Sequence, residues 1–350
     1  MLDESKIDVK RTDFFNKADS LNENRFDFEK IEGMLLGLAM GDALGITTEG
    51  MLPEKRKAVY GEIKDYLPNE YCDKPIGFPS DDTQLSFWTL KEINKDKGFV
   101  SDHVASAFCR GRIFGIGNTV RQFINNYKNN GRSWYDVDNE AGVKSAGNGA
   151  LMRIAPIIIL HLKDAANLWF DTALCTMITH NDSAAISSSI AFVNILWNLL
   201  EMDTPPDPMW WVETYVSIAK ELEVDNTYKP RMGKYFSNYE GTIWNFVQEK
   251  VPYAYEKGLS VVEANELWGS GAYLLETVPM VLYILMKYSD NLEEAVVRAV
   301  NDTKDNDTIG SIVGAAVGAL HGKKALPERW IKNLFERTTI NDDGKIFEDI

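Results

Sequence analysis

Apolar residues recur at three- and four-residue spacing along most of the chain, which is the period of an amphipathic α-helix. The segments with this spacing are residues 32–44, 84–94, 103–112, 120–127, 150–162, 165–177, 184–200, 209–222, 272–287, 292–300 and 309–320. No series of alternating apolar and polar positions predicts strands, and neither a repeat period nor a low-complexity tract is present. The pattern therefore predicts an all-α fold.

Two of these segments are rich in glycine and alanine: GLAMGDALG at residues 37–45 and GSIVGAAVGAL at residues 310–320. A glycine inside a helix costs about 1 kcal/mol relative to alanine. Repeated glycines in a helix therefore indicate a packing or site requirement. Because small residues let helix backbones approach closely, we expect one compact domain of many helices.

Two regions differ from this helical remainder. Residues 1–29 are polar and carry four phenylalanines, and residues 203–240 begin with DTPPDP and are rich in aromatic residues. The second region is interpreted as a helix followed by long loops on the domain surface. We expect an N-terminal extension at residues 1–29, one domain at residues 30–336 and a C-terminal tail at residues 337–350.

Composition excludes several classes of protein. The net charge of −15 argues against a nucleic-acid binder, which needs a basic surface. Cys72, Cys109 and Cys175 are far apart and form no CxxC pair, so neither a disulfide framework nor a zinc site is expected. The charged N-terminus is unlike a secretory signal, and the apolar runs at residues 154–162 and 312–320 are too short to span a bilayer. A reduced, cytoplasmic protein with no membrane partner is expected.

Two acidic turns precede predicted helices, PSDDT at residues 79–83 and DTKDNDT at residues 302–308. Helix capping explains either turn alone, because hydroxyl and carboxylate groups stabilise helix starts. The same groups are also the hard oxygen ligands that Mg²⁺ prefers. If the fold brings the two turns face to face, their repulsion requires cations, and a pair of Mg²⁺ ions about 3.5–4 Å apart would provide them.

Other short segments are weak signals by themselves. GIGNT at residues 115–119 and AGNGALMR at residues 146–153 are either ordinary loops or places where backbone amides approach phosphate oxygens. His180, within THNDS at residues 179–183, is either a helix cap or a ligand. An acidic protein that binds phosphate compounds needs metal ions, helix N-termini or backbone amides at the binding site.

Taken together, the segments resemble the ADP-ribosylglycohydrolase family, which includes the enzyme that reactivates dinitrogenase reductase. The matching segments follow the family order from about residue 30 to residue 322: GLAMGDALGITTEG, PSDDTQLS, GIGNTVRQ, SAGNGALMRIAP, ITHNDS, SGAYLLETVPMVLYIL and VNDTKDNDTIGSIVGAAVGALHG. The resemblance implies an all-α fold with a binuclear Mg²⁺ centre, Mn²⁺ being an alternative, at the base of a cleft.

The resemblance also implies roles for individual residues. The implied metal ligands are Ser80, Asp81, Asp82, Asp305, Asp307 and Thr308. Glu49 would act beside the metals, on a bridging water or the substrate ribose, and Glu49, Asp81 and Asp307 are the implied catalytic residues. The implied ADP-ribose groove consists of Gly117, Asn118, Thr119, Gly147, Asn148 and Gly149, with His180 and Tyr273 at the ribose and adenine ends.

Two positions depart from the family pattern. Gly115 stands where arginine-specific relatives often carry an aspartate credited with acid or base chemistry near the guanidinium. Glu276 stands where relatives have an aspartate. The first departure leaves the metal site intact and leaves the linkage preference open.

The resemblance implies Mg²⁺-dependent hydrolysis of the N-glycosidic bond of ADP-ribosylated proteins, with arginine as the expected linkage. An alternative is an immunity protein that blocks an ADP-ribosyltransferase toxin through residues 1–29. Hydrolysis of poly-ADP-ribose or of a small ADP-ribosyl compound is a third function. Residues 1–29 are either a partner-binding arm with aromatic anchors or a tail or strap on their own domain.

Overall fold

The computed structural model describes residues 6–20, 26–69, 73–135, 144–235, 238–335 and 338, so Cys72 and most of the expected tail at 337–350 lie outside the described residues. Within them the chain forms fifteen α-helices and no β-strand, which confirms the all-α prediction. The helices are α1 Phe28–Gly45, α2 Pro53–Tyr60, α3 Asp81–Asp96, α4 Ser101–Ala107, α5 Asn118–Ile124, α6 Ile157–His161, α7 Leu168–Met177, α8 Ser183–Glu201, α9 Pro208–Leu222, α10 Ile243–Glu256, α11 Val261–Trp268, α12 Leu274–Tyr288, α13 Leu292–Asp302, α14 Asn306–His321 and α15 Glu328–Asn333.

The predicted helix at residues 150–162 is broken. The chain forms a short 3₁₀ turn at Leu151–Arg153 and then α6, because Pro156 has no N–H to continue a helical ladder. Four helices, α2, α10, α11 and α15, were not predicted. In α2 only Pro53 and Arg56 are buried, so this helix has no apolar stripe to reveal it.

Helices α1 and α14 touch backbone to backbone along their glycines. Glycines occur at every fourth position of α1 from residue 33 to residue 45 and of α14 from residue 310 to the residue after its end, 322. A Cβ atom added to Gly37 would lie 2.1 Å from the carbonyl oxygen of Gly314, and one added to Gly45 would lie 2.4 Å from the backbone of Asp307. This close packing sets the end of α1 beside the start of α14.

The hydrophobic core surrounds these two helices and α8. By length and composition alone, Phe28–Thr48 and Ser183–Glu201 could each cross a membrane, which corrects the expectation that no apolar stretch is long enough. However, 83% and 89% of the residues in their most apolar 18-residue stretches are buried inside the domain. Both helices therefore have the burial of core helices.

The described part of the N-terminal extension packs on its own domain. Phe14 and Phe15 are buried, with ring centroids 5.3 Å from Trp169 and 5.0 Å from Phe170 respectively. The Phe26 ring lies 4.9 Å from that of Trp197. In the described residues, these three rings therefore pack against the domain itself.

The aromatic region at 203–240 forms a helix followed by a loop, as expected. The helix, α9, exposes Glu213, Ser217 and Lys220 on one face and buries Trp211 and Tyr215 completely or almost so on the other. The following loop returns through a bridge between Tyr228 and Gly241. The Trp211 and Tyr215 rings thus belong to the core, while the other face of α9 lies at the surface.

Candidate active site

The two acidic turns meet where α1 and α14 approach each other. Carboxylate oxygens of Asp42, Asp82 and Asp307 lie within 4.8 Å of one another, and the same is true of Glu49, Asp305 and Asp307. Asp307 belongs to both groups. The glycine contacts of α1 and α14 thus unite side chains that are far apart in the sequence.

Asp42 is not among the predicted site residues, yet it organises one of the turns. Its carboxylate is completely buried and accepts the backbone N–H groups of Ser80 at 2.9 Å and Thr83 at 3.0 Å, together with the Thr83 hydroxyl. These bonds satisfy N–H groups at the start of α3 and hold it against α1. The available sequence signal was a lone carboxylate in the otherwise apolar segment GLAMGDALG.

Helix capping explains only some of the contacts that the two acidic turns make. The Ser80 hydroxyl accepts the Asp82 N–H at 3.4 Å, so capping is correct for α3. The Ser80 and Thr308 hydroxyls also donate to Asp82 Oδ2, at 3.3 and 3.4 Å. Asp305 does not cap α14, since its carboxylate accepts from the Asn148 amide at 2.6 Å. The Asp305 carboxylate of the second turn therefore faces the site and does not cap α14.

Burial and mutual repulsion raise the pKa values of these carboxyl groups. Burial, with neighbouring carboxylates, raises the pKa of Asp81 to about 8. Burial raises the pKa of Asp305 to about 7, and it holds the pKa values of Asp82 and Asp307 well above the ordinary range. The pKa of Glu49 is also raised, first by burial and then by the charge of Asp42.

The residues present fit a divalent metal centre. Oδ1 of Asp82 and Oδ1 of Asp307 are buried and have no hydrogen-bond partner in the described part of the chain. Like charges this close, with unpaired oxygens, need a cation to be stable in the ionised form. The donors are hard oxygens, which select Mg²⁺ or Mn²⁺ over softer metals. The shared carboxylate of Asp307 suits two neighbouring ions.

A buried arginine holds the segment that carries Glu49. The Arg56 guanidinium donates to the Thr48 hydroxyl at 2.9 Å and to the carbonyl oxygens of Thr48 and Met51 at 3.1 and 2.9 Å. It also donates to the carbonyl oxygens of Asn301 and Thr303, at 3.0 and 2.7 Å. Arg56 thereby ties the segment after α1 to the segment before α14. Because α2 has no apolar stripe, the sequence pattern did not reveal this role of Arg56.

A cavity of about 330 Å³ opens above the acidic turns. Seven of the eight predicted groove residues line it: Gly117, Asn118, Thr119, Gly147, Asn148, Gly149 and His180. Its wall also contains Glu49, Asp81, Asp305, Asp307 and Thr308 from the predicted set, and Ser145, Met152, Arg231 and Ala272, which were not predicted. Ser80 and Asp82 lie behind this wall.

His180 is held neutral with one nitrogen toward the cavity. Arg153, a pure donor, donates to the Thr179 hydroxyl at 2.9 Å, and that hydroxyl lies 2.7 Å from His180 Nδ1. This arrangement assigns the hydroxyl proton to Nδ1 and the ring proton to Nε2. Burial lowers the pKa of His180 to about 3. His180 is therefore a neutral N–H donor beside Gly147 and Gly149, where Cβ atoms would lie only 3.3 and 3.4 Å from Nε2.

Tyr273, which the resemblance implies at the adenine end, is packed against Arg231. Its side chain is buried and does not line the cavity, and the Arg231 guanidinium lies 4.2 Å from the centroid of its ring. A ring whose face is already covered by a guanidinium cannot also stack on adenine from that side. One face of the ring is thus occupied, and the contact of Tyr273 with adenine stays a prediction.

Gly115 lines the cavity next to Asp81. Its backbone has a positive φ of 72°, and a Cβ there would lie 3.2 Å from Asp81 Oδ1. The Asp81 carboxylate accepts the backbone N–H of Gly117. Gly115 thus lies close to Asp81, and a side chain at this position would require a left-handed backbone and a shift of that carboxylate.

The chain is similar to known proteins over most of its length. The sequence model of the ADP-ribosylglycohydrolase family matches residues 23–350. The chain belongs to the ADP-ribosylglycohydrolase family. It is 23% identical over 322 residues to the ADP-ribosylarginine hydrolase Tri1 of Pseudomonas putida, covering 87% of this chain and 74% of the relative. It is 23% identical over 305 residues to the ADP-ribosyl-[dinitrogen reductase] glycohydrolase of Rhodospirillum rubrum, covering 86% and 89%.

A solved structure agrees on the fold. The ADP-ribosylglycohydrolase-related protein complex superimposes with a TM-score of 0.61 at 21% identity, covering 88% of this chain and 92% of the other. As a member of the ADP-ribosylglycohydrolase family, this chain is a hydrolase of ADP-ribose glycosidic bonds. The recognition of the family from seven short segments is confirmed.

His180 provides a first test of the groove of this glycohydrolase. We expect His180→Leu to raise KM for an ADP-ribosylated substrate about 3- to 10-fold, the usual value of one lost hydrogen bond. His180→Gln, which keeps an N–H donor, should restore most of the loss. Steady-state kinetics at several pH values would measure both, and the effect should be constant from pH 5 to 8 because His180 does not titrate there. An equal loss in the two variants would contradict the donor role.

Proposed function

We propose that this chain is a divalent-metal-dependent hydrolase that releases ADP-ribose from modified arginine side chains of proteins. The observation that supports it most is the pair of three-carboxylate groups that share Asp307 below the cavity, with oxygens of Asp82 and Asp307 left unpaired. An ion pair or a helix cap gives a buried carboxylate its partners, whereas a binuclear Mg²⁺ centre requires carboxylate oxygens that are free to bind the metal.

The protein groups around the site have distinct tasks in such a reaction. When bound, Mg²⁺ would lower the pKa of a water molecule and hold the ribose hydroxyls, and the surrounding carboxylates would offset the positive charge that develops on the sugar as the glycosidic bond breaks. Glu49, with its raised pKa, can accept the proton of the attacking water and pass it to the departing guanidine nitrogen. Asn148 orients Asp305 through its amide, and His180 offers Nε2–H to the substrate. The glycines of both loops leave the substrate room to approach the backbone.

The electrostatics of the cavity favour a cationic leaving group. Four carboxylates line it, from Glu49, Asp81, Asp305 and Asp307, and the chain as a whole carries a net charge of −15. A protein with this potential attracts a guanidinium-bearing substrate. Two relatives also support an arginine-linked protein substrate, because their names state action on ADP-ribosylarginine and on ADP-ribosyl-dinitrogen reductase.

The decisive experiment compares linkages. The protein with Mg²⁺ is incubated with ADP-ribose attached to arginine, to serine and to a small molecule, and the products are identified by mass spectrometry. We expect free ADP-ribose and unmodified arginine from the first substrate. Release from serine or from the small molecule alone would replace the arginine assignment, and release from none would contradict the hydrolase.

Metal removal tests the cofactor. We expect EDTA treatment to abolish hydrolysis, Mg²⁺ or Mn²⁺ to restore it, and elemental analysis of Mn²⁺-loaded protein to give about two metals per chain. Protein that binds no metal at saturation, or that remains active without it, would show that the acidic turns are helix caps only.

The alternative of a transferase-blocking arm has no structural support in the described residues. Of its four phenylalanines, Phe14, Phe15 and Phe26 pack against tryptophan or phenylalanine rings of the chain's own domain, and Phe28 is exposed at the start of α1. The main-chain N–H of Lys10 also donates to the Leu222 carbonyl at 2.8 Å. We therefore do not propose inhibition of a toxin for this segment.

A further inference from the structure

The proposed substrate presents a charge problem at the mouth of the cavity. A diphosphate carries negative charge, and the carboxylates of the cavity floor repel it wherever bound cations do not offset them. Among the described residues that line the cavity, Arg231 is the single lysine or arginine. It is exposed, and it lies in the loop between α9 and α10, which no predicted site residue occupies.

The Arg231 side chain is held in place by an aromatic ring. Its guanidinium carbon lies 4.2 Å from the centroid of the Tyr273 ring, the distance of a stacked cation–π pair. Stacking uses the face of the guanidinium and leaves its N–H edges for other partners. The Tyr273 hydroxyl is fixed in turn by the backbone N–H of Lys229.

The backbone around Arg231 is anchored to the wall of the cavity. Its N–H donates to the Glu276 carboxylate, which also accepts the Gly271 N–H at 2.9 Å. Further along, the N–H groups of Lys234 and Tyr235 donate to the carbonyl oxygens at the end of α11, at 3.1 and 3.0 Å. This part of the loop therefore has a defined path, and Glu276, the family departure, links it to the segment that contributes Ala272 to the cavity.

We propose that Arg231 binds the diphosphate of the nucleoside-diphosphate part of the substrate. This inference rests on the proposed function, because it concerns the same cavity. A guanidinium binds phosphate oxygens through paired N–H groups, which gives orientation as well as attraction. The cavity then has two ends: carboxylates hold the reacting ribose at the floor, and Arg231 holds the diphosphate toward the mouth. Tyr273 serves this end as the support of Arg231.

The test compares Arg231→Gln and Arg231→Lys with Lys234→Gln. The control removes a positive charge from the same loop, and the Lys234 ammonium lies outside the cavity, 3.7 Å from a Glu266 carboxylate oxygen. Calorimetry measures the binding of ADP and of adenosine to each metal-loaded variant, and kinetics measures KM and kcat for ADP-ribosylarginine.

We expect Arg231→Gln to weaken ADP binding about 10- to 100-fold, the value of a lost hydrogen bond to a charged group. Adenosine binding should change less than about twofold, and the kinetic effect should appear in KM more than in kcat. Arg231→Lys, which keeps the charge but not the paired donors, should be intermediate. Lys234→Gln should bind both compounds as the natural protein does.

Several results would overturn the inference. Unchanged ADP affinity in Arg231→Gln, or an equal loss for adenosine, would show that Arg231 does not bind the diphosphate. An equal loss of ADP affinity in Lys234→Gln would show that Arg231 acts only through general charge attraction. These outcomes leave the proposed function standing if the natural protein still cleaves ADP-ribosylarginine. A natural protein that neither binds ADP nor cleaves the substrate would overturn both.

Discussion

Replacing Asp307 by asparagine is expected to abolish hydrolysis and to make the metal-free protein more stable. Asp307 is the one carboxylate that belongs to both acidic groups, so its loss affects both proposed metal positions. Loss of an outer partner of a metal ligand already costs about 10- to 100-fold in affinity or activity, and a ligand itself should cost more. Activity assays and elemental analysis of Mn²⁺-loaded protein would measure the loss.

The gain in stability follows from the raised pKa values. A carboxyl whose pKa is higher in the folded than in the unfolded chain stabilises the fold at low pH, and this contribution is lost as pH rises through the folded value. Asp81 and Asp305, with folded pKa values of about 8 and about 7, place the loss between about pH 4 and pH 8. Metal-free natural protein should thus be less stable at pH 8 than at pH 5, and Asp307→Asn should reduce this difference.

Addition of Mg²⁺ at pH 8 should stabilise the natural protein, since the ion binds the ionised carboxylates of the folded state. Asp307→Asn should respond weakly. Urea unfolding at both pH values, with and without Mg²⁺, measures these effects. A variant that keeps its activity, or that is less stable than the natural protein without metal at pH 8, would contradict the metal centre.

Glu223 offers a matched control. It is a completely buried carboxyl outside the site, and burial raises its pKa to about 7. Its two oxygens accept the backbone N–H groups of Ile243 and Trp244, at 2.8 and 3.2 Å, at the start of α10. Glu223→Gln should therefore lose stability and keep its activity, the opposite of Asp307→Asn.

The second large effect is expected from Gly314→Ala. Alanine favours an isolated helix over glycine by about 1 kcal/mol. Here, however, the new Cβ would lie 2.1 Å from the carbonyl oxygen of Gly37, and a backbone atom cannot yield as a side chain does. Excess volume in a packed core costs about 1–3 kcal/mol and sometimes more. We expect a free energy of unfolding lower by about 3 kcal/mol or more.

Separation of α1 and α14 should also weaken metal binding, because the same contact positions Asp42 against Asp307. Gly98→Ala is the control, because the nearest atom to its Cβ would be the Asp96 carbonyl oxygen at 3.9 Å. Urea unfolding and Mn²⁺ titration of both variants are the measurements. A Gly314→Ala variant as stable as Gly98→Ala would show that the helices can move apart without cost.

Local patterns in the sequence were sufficient for the helical class and for the acidic turns. The spacing of apolar residues reports on a single helix and its buried face, which is a local property. The oxygen-bearing residues around Asp81 and Asp307 were visible because they are consecutive in sequence. The order of these segments was also enough for the family. The glycines at every fourth position of α1 and α14 indicated close packing, but not which helices touch.

The tertiary structure alone decided which distant residues meet. Asp42 and Arg56 act through contacts with segments far along the chain, and neither lies in a turn that signals chemistry by composition. Arg231 comes from a loop without a motif and stacks on the ring of Tyr273. The packing of Phe14 of the N-terminal extension against Trp169 of α7 is likewise a contact between distant segments. Such contacts depend on the relative positions of packed helices, which the period of a single helix does not contain.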